Sequence, residues 1–245
     1  MTEPLALEGE TLHDWTLSSG DKISLVSGRY RQLIDTFVTN TEDTALQIGS
    51  KSSVLDRNLK WRNYFDGKNF VGSDISAGDN VDVVFDVTGN IGKLRKSTGI
   101  KQFDGIICCH VLEHVRNPFL AAANLAKLLK KGGLLFVSVP WVQGYHEFPD
   151  DFWRFSFAGL RELFKDLEVF AEAYSGPREE VFYQLRFNGK PEHSERTCRI
   201  ERNLFQMKFE DIPRQPMFTD FSGDKIQLAK LYMPATVVTT VFRKP

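Results

Sequence analysis

Apolar residues fall in short, nearly unbroken runs, and longer amphipathic stretches separate them. The runs are ALQI (45–48), NFVGSDI (69–75), VDVVFDV (81–87), FDGIICCH (103–110), GGLLFVSVP (132–140), LEVFAEAY (167–174) and ATVVTTVF (235–242). Each has the length of a strand. They are rich in β-branched and aromatic residues and mostly continuous rather than alternating, as in strands buried on both faces. The last run reads as a closing edge strand. Between the strands, GRYRQLIDTFVTN (28–40) spaces Tyr30, Leu33, Ile34, Phe37 and Val38 at helical intervals. PFLAAANLAKLLKK (118–131) has Asn117 to cap its start, Pro118 at its first position, and Gly132-Gly133 after two lysines. FAGLRELFKD (157–166) predicts one more helix. Strands alternating with helices imply an α/β, doubly wound and mostly parallel sheet. Residues 1–27 read as an N-terminal extension, and 175–233 as an insertion within a domain spanning 28–245.

Composition narrows the class. The 245 residues carry a net charge of −1, so nothing suggests a polyanion-binding surface. Twenty phenylalanines fit a packed aromatic core better than a dedicated pocket. Cys108 and Cys109 lie in an apolar run, as reduced, buried, structural cysteines do; Cys198 is the third. The N-terminus is acidic and polar, unlike a signal or transit peptide, and no apolar run approaches a membrane span. The expectation is a soluble cytoplasmic protein with no membrane partner.

In an open α/β sheet, ligands sit outside the carboxyl ends of the strands. The residues there are Gly49, Asp74, Asp86, His110 and Pro140 with its successors. An acid in the place of Asp74 accepts hydrogen bonds from both hydroxyls of a ribose. Asp86 stands where a carboxylate or its neighbouring backbone meets an adenine edge. A lone Asp often only begins a turn; two acids ending consecutive strands after a glycine turn are more telling. The turn itself, TALQIGSKSS (44–53), has one glycine. A dinucleotide presses a pyrophosphate against this turn and demands several. That disfavours NAD and FAD. S-adenosylmethionine carries no phosphate, and its amino-acid end needs one close backbone contact and some polar groups, for which Ser50, Ser52 and Ser53 are at hand.

With LQIGS, FVGSDI, DNVDVVFDVTG and FDGIICCHVLEHVRNPFLAAANLAKLLKKGGLLFVSVP in this order, the chain resembles class I S-adenosylmethionine-dependent methyltransferases over about 45–175. The resemblance implies a Rossmann-like, seven-stranded, mostly parallel sheet with an antiparallel last strand. It implies that Gly49 approaches the methionine part of the cofactor and that Asp74 holds the ribose with Ile75 beside the adenine. Asp86 and Val87 would flank the adenine, and His110 would lie over the cofactor. The family usually has an acid where Gln47 stands and more glycines after Gly49. The segment YHEFPDDFWRFSFAGLRELF also resembles methyltransferases associated with sugar or polysaccharide pathways.

Methyl transfer depends on positioning the acceptor, and a hydroxyl acceptor benefits from a base. The segment after the fifth strand, WVQGYHEFPDDFWRF, offers His146 as that base, with Asp150 and Asp151 as alternatives or as groups that orient it. Arg154 would clamp a substrate anion or pair with Asp150 or Asp151 and hold the loop. Trp141, Tyr145 and Trp153 would stack on a sugar ring or line an apolar pocket. HVLEH (110–114) matches a zinc-peptidase pattern, H-x-x-E-H. That pattern needs a helix well underway, whereas His110 directly follows a strand, so no metal is expected, and Glu113 and His114 read as capping the loop. RTCRIER (196–202) spaces Arg196, Arg199 and Arg202 as on a solvated helix face. The leading expectation is methylation of a hydroxyl on a small molecule or carbohydrate, with no nucleic-acid partner and a homodimer left open. A non-catalytic binding or scaffold protein of the same fold is the alternative, and a nicotinamide oxidoreductase a third.

Overall fold

The fold comes from a computed structural model that describes residues 11–16, 22–27, 29–51, 61–146, 150–175, 182–187, 190–191, 219–221, 224–226 and 236–245. Its elements in chain order begin with β1 (Thr11–Thr16), β2 (Lys22–Ser27), α1 (Arg29–Thr39), β3 (Thr44–Ile48), α2 (Trp61–Tyr64), β4 (Asn69–Asp74) and β5 (Val83–Val84). Next come α3 (Ile91–Thr98), β6 (Phe103–Cys109), a 3-10 turn at Leu112–His114, α4 (Pro118–Leu128), β7 (Leu129–Val142), α5 (Phe157–Leu163) and β8 (Glu168–Ser175). The chain continues through β9 (Phe182–Phe187), β10 (Lys190–Pro191), β11 (Thr219–Phe221), β12 (Asp224–Ile226) and β13 (Thr236–Arg243).

The central sheet has the order β5-β4-β3-β6-β7-β13-β8. The first five of these strands are parallel, and β13 runs antiparallel to both β7 and β8. This is the seven-stranded, mostly parallel sheet expected. Beyond β8 the sheet continues antiparallel through β9, β2 and β1. Residues 1–27 thus include a hairpin hydrogen-bonded into the same sheet. The 196–202 arginines and Cys198 lie outside the described residues.

Successive strand residues feed two cores, which is why the runs are continuous rather than alternating. Ala45, Ile107, Phe136 and Val241 pack with Ile34, Phe37, Trp61 and Phe65 on one face. Leu46, Ile106, Leu135 and Val137 pack with Leu94, Leu125, Leu128 and Leu160 on the other. Phe37, Trp61, Phe65 and Phe136 meet edge-on, with Phe37 at its centre, so these aromatic rings are core.

Three expectations need correction. ATVVTTVF is not an edge strand: β13 lies between β7 and β8, with Val238, Thr239, Thr240, Val241 and Phe242 all buried. The missing alternation is the mark of that two-sided burial. The helix after Asn117 stops at Leu128, and Leu129 already pairs with Phe103 across β7 and β6. The two lysines fall instead in an irregular stretch that ends at Gly132, whose φ is +77°. VDVVFDV pairs only at Val83–Val84, because it is the outermost strand and Val84 is 58% exposed.

Asp104 joins three strands at the amino end of the sheet. Its Oδ2 accepts from the Thr44 amide at 2.9 Å, the Thr44 hydroxyl at 2.6 Å and Lys130 Nζ at 2.8 Å. Burial alone would raise its pKa, but the Lys130 and Thr44 hydrogen bonds outweigh it and set the value at about 2 instead of 3.8. A depressed carboxyl stabilises the fold above its unfolded pKa, and that contribution disappears as pH falls through the folded one. The urea midpoint is therefore expected to drop between about pH 4 and pH 2. Asp104→Asn should remove that part of the profile and cost about 2 kcal/mol at neutral pH; an unchanged profile would contradict the assignment. Among the described residues, no helix is long and apolar enough to cross a membrane.

Candidate functional site

The loops after β3, β4 and β6 meet at the carboxyl edge of the sheet. Gly49 ends β3 with φ +72°, a conformation that side chains rarely tolerate. A Cβ there would also come within 2.5 Å of Val111 Cγ2, on the loop after β6. Glycine thus lets the first turn lie directly against the His110–Val111 segment. Ser50 does not face a ligand. It is buried, and its hydroxyl donates to the Asn80 carbonyl at 2.8 Å. Ser52 and Ser53 lie outside the described residues.

Asp74, half-buried at the end of β4, ties the first turn to its own. Its Oδ2 accepts from the Lys51 amide at 3.3 Å, and its Oδ1 from the Ser76 amide at 3.1 Å. Next to it Ile75 is 63% exposed, an apolar side chain held toward solvent at the edge of the same cleft. Asp86 accepts from both the amide and the hydroxyl of Thr88, at 2.8 and 2.7 Å, and so does begin a turn. Val87 is a core residue, and its carbonyl accepts from Asn124. Its side chain is therefore committed to the core.

These residues fit an S-adenosyl compound, and one orphaned atom bears directly on the fit. Gln47 Oε1 is buried without a hydrogen-bond partner among the described residues. Gln47 stands two residues before Gly49, and a buried acceptor that lacks a donor matches an ammonium group. The missing acid is therefore replaced by a neutral acceptor rather than by nothing.

His110 follows β6 with φ +53°, and its amide donates to the Ser138 carbonyl at 2.8 Å. Its Nδ1 lies 3.4 Å from Glu113 Oε1. HVLEH is thus a bend and a 3-10 turn, not a helix, and His110 and His114 do not share a helix face. Glu113 is 0% exposed, and its main-chain carbonyl accepts from the amides of Phe152 and Trp153. His114 Nδ1 lies 2.7 Å from the Asp150 carbonyl. These three bonds draw residues 150–154 back over the turn and bring His146 against His114, with ring centroids 4.9 Å apart.

His146 Nδ1 faces Asp151 Oδ2 at 3.2 Å and the Gly144 carbonyl at 3.3 Å. Both are acceptors, so Nδ1 carries the proton and Nε2 keeps its lone pair. The Asp151 side chain has no exposed surface. Its carboxyl is held well below the usual carboxylate range, first by the Arg154 guanidinium and then by the His146 amide, against the opposing effect of burial. Arg154 donates to Asp151 Oδ1 and Oδ2 at 2.5 and 2.6 Å, and to the carbonyls of Gln143, Gly144 and Trp153. Those five bonds use all five of its donors. Of the two expectations for Arg154, these contacts match the pairing with Asp151 that holds the loop. Asp150 points outward, 3.9 Å from Arg116, and contributes its carbonyl rather than its carboxylate.

Phe155 is core, while Tyr145, next to His146 in the chain, and Trp153, whose Nε1 donates to the Val115 carbonyl, are exposed, and Trp141 packs partly against the core. Cys108 is buried. Burial and the Glu113 carboxylate push its thiol far up, so it is not a nucleophile. The sequence reads Glu113 as capping the loop, and its carbonyl does hold residues 152 and 153, but the burial of its carboxylate beside His114 and His146 was not foreseen. Its signal was a carboxylate directly before a histidine, in a loop immediately after an apolar strand.

The family model described as "Methyltransferase domain" matches residues 24–178. Among solved structures, a protein of Bacillus halodurans C-125 assigned as a methyltransferase superposes with a TM-score of 0.50 at 12% identity, covering 88% of this chain and 98% of its own. An S-adenosylmethionine-dependent methyltransferase of Archaeoglobus fulgidus gives 0.48 at 16% identity, covering 88% and 91%. The N-methyltransferase NodS of Bradyrhizobium japonicum, solved with S-adenosylhomocysteine, gives 0.44 at 13% identity, covering 65% and 84%. No curated protein sequence matches the chain.

Proposed function

Since the chain belongs to the methyltransferase-domain family, an S-adenosylmethionine-dependent group, we propose that it methylates a hydroxyl of a small molecule or carbohydrate, with His146 as the proton acceptor. The cofactor supplies a methyl group made electrophilic by a positively charged sulfur. Gly49 gives its methionine end close backbone access, and Gln47 Oε1 receives its ammonium. Asp74 takes the ribose hydroxyls, Ile75 covers the adenine, and the Asp86 turn and the Val87 amide border it. His110 lies over this cleft.

The observation that carries the acceptor assignment is the His146–Asp151 pair. An imidazole with Nδ1–H fixed on a buried carboxylate has one free lone pair, at Nε2, and a partner that stabilises the imidazolium formed when that lone pair takes a proton. The pair reaches the cofactor turn through His114, Glu113, His110 and Val111. With the cofactor bound, His146 Nε2 would take the hydroxyl proton as the acceptor oxygen receives the methyl group. Tyr145 and Trp153 offer exposed rings on the same segment for stacking on a sugar face.

Assays with labelled S-adenosylmethionine against sugars and small hydroxylated compounds should identify an acceptor. His146→Ala is then expected to lower kcat by about 100- to 1,000-fold while S-adenosylhomocysteine affinity stays near that of the parent. Equal turnover in the variant would remove His146 as the base.

A further inference from the structure

We propose that Glu113, His114 and His146 form a binding site for one divalent first-row transition cation. One ligand atom from each lies within 4.8 Å of the others. Glu113 is the buried charge of the group, and imidazole nitrogens of His110 and His114 face its Oε1 at 3.4 and 3.9 Å. Glu113 is 0% exposed, and neither carboxylate oxygen has a hydrogen-bond partner among the described residues. Burying a carboxylate without hydrogen bonds is costly. Next to it, His114 spends its Nδ1 proton on the Asp150 carbonyl, so Nε2 turns a lone pair toward Glu113 Oε1, 3.9 Å away. His146 spends its Nδ1 proton on Asp151 and the Gly144 carbonyl, which leaves its Nε2 as a second lone pair. Two imidazole nitrogens and a carboxylate converge there, and a cation held by all three balances the buried carboxylate in competition with His110 Nδ1, which also faces Glu113 Oε1 at 3.4 Å.

The surroundings are also those of a metal site. Ligating histidines usually donate their other N–H to a carboxylate or a main-chain carbonyl, and here one does each. Two imidazoles and one carboxylate favour Zn²⁺, Mn²⁺, Fe²⁺ or Co²⁺ over Mg²⁺ and Ca²⁺, which prefer oxygen ligands. Three protein ligands leave a position open. Bond lengths of about 2.0–2.2 Å require the ligand atoms to draw together from their present spread of up to 4.8 Å. The sequence argued against zinc because H-x-x-E-H lies outside a helix. The fold meets the requirement differently, replacing His110 with His146 from beyond β7.

The site does not depend on the acceptor assignment, but it competes with it for His146 Nε2: with a cation bound, that nitrogen is a ligand, and acidifying a hydroxyl in the open position falls to the cation. The experiment uses the full chain stripped with a chelator. It is titrated with Co²⁺, followed by visible absorption, and with Zn²⁺, followed by calorimetry and elemental analysis. One cation per chain is expected, and millimolar Mg²⁺ or Ca²⁺ should not displace it. Glu113→Gln and His146→Asn should each weaken binding by about a hundredfold. His146→Asn, on a half-exposed loop, guards against misfolding of the Glu113 variant, and retained S-adenosylhomocysteine binding verifies its fold. Failure to take up Co²⁺ or Zn²⁺, or uptake unchanged in both variants, would overturn the site. Stripped protein that takes up no cation yet transfers methyl groups would overturn it while leaving the methyltransferase reading intact. Stoichiometric uptake without transfer to any hydroxyl would support the site and count against the hydroxyl acceptor.

Discussion

Asp74→Ala is expected to weaken S-adenosylhomocysteine binding by about a hundredfold while leaving the fold intact. The carboxylate ends β4 and already receives one amide from each of two loops, Lys51 and Ser76. Its remaining lone pairs are the acceptors assigned to the two ribose hydroxyls. Two hydrogen bonds to a charged acceptor contribute about 1.5 kcal/mol each. Their joint loss is about 3 kcal/mol, or about two powers of ten in affinity. Removing the side chain also takes the acceptor from the Lys51 and Ser76 amides, so the urea midpoint is measured beside the affinity to separate loosened turns from lost ribose contacts. Asp74→Asn, which keeps one acceptor oxygen, should fall between the two. Calorimetry with S-adenosylhomocysteine measures all three proteins, and an unchanged affinity in Asp74→Ala would show that the ribose is held elsewhere.

The second large effect is on stability. Asp151→Ala is expected to lower the unfolding free energy by about 3–5 kcal/mol. Asp151 has no exposed side-chain surface and accepts from two Arg154 nitrogens and the His146 amide. Removing it strands a guanidinium whose other bonds all go to main-chain carbonyls. It also frees the His146 ring from the group that fixes its tautomer, so methyl transfer should fall with stability. Arg154→Lys serves as the discriminating variant. One ammonium cannot reproduce five donors in a planar fork, so the urea midpoint should drop. The Michaelis constant of the acceptor should change only as far as the loop loosens. A variant of full stability with a selectively raised acceptor Michaelis constant would favour the anion-clamp role.

The local parts of the fold were legible because their signals are local. The side chain of Asn117 caps the Leu120 amide with Pro118 at the first helical position, as the sequence reads. The five parallel strands follow from runs that feed one core at Leu46 and the other at Ala45. The interior position of β13 was not legible. A two-sided apolar run says that a strand is covered but not by which neighbours. The site divides in the same way. Gly49 and Asp74 belong to turns whose residue types announce them. The Glu113–His114–His146 cluster exists only because amides from Phe152 and Trp153 return to the Glu113 carbonyl, a contact between residues some forty positions apart that no spacing encodes. Arg154 was ambiguous for a related reason: a fork suited to a substrate anion suits Asp151 and three carbonyls equally well.

The placement of β13 also bears on how the protein is made. Among the described residues it alone links β7 to β8 in the sheet, and its Thr239 meets Ser138 across 101 positions of chain. While the polypeptide emerges from the ribosome, β3, β4 and β6 find their partners early, but β7 and β8 each present a bare apolar edge until residues 236–243 arrive. Such edges invite pairing with other nascent chains. The interval between synthesis of β8 and synthesis of β13 is therefore the window in which this protein most needs a chaperone. Substitutions that slow the docking of β13 should lower its yield before they lower its equilibrium stability.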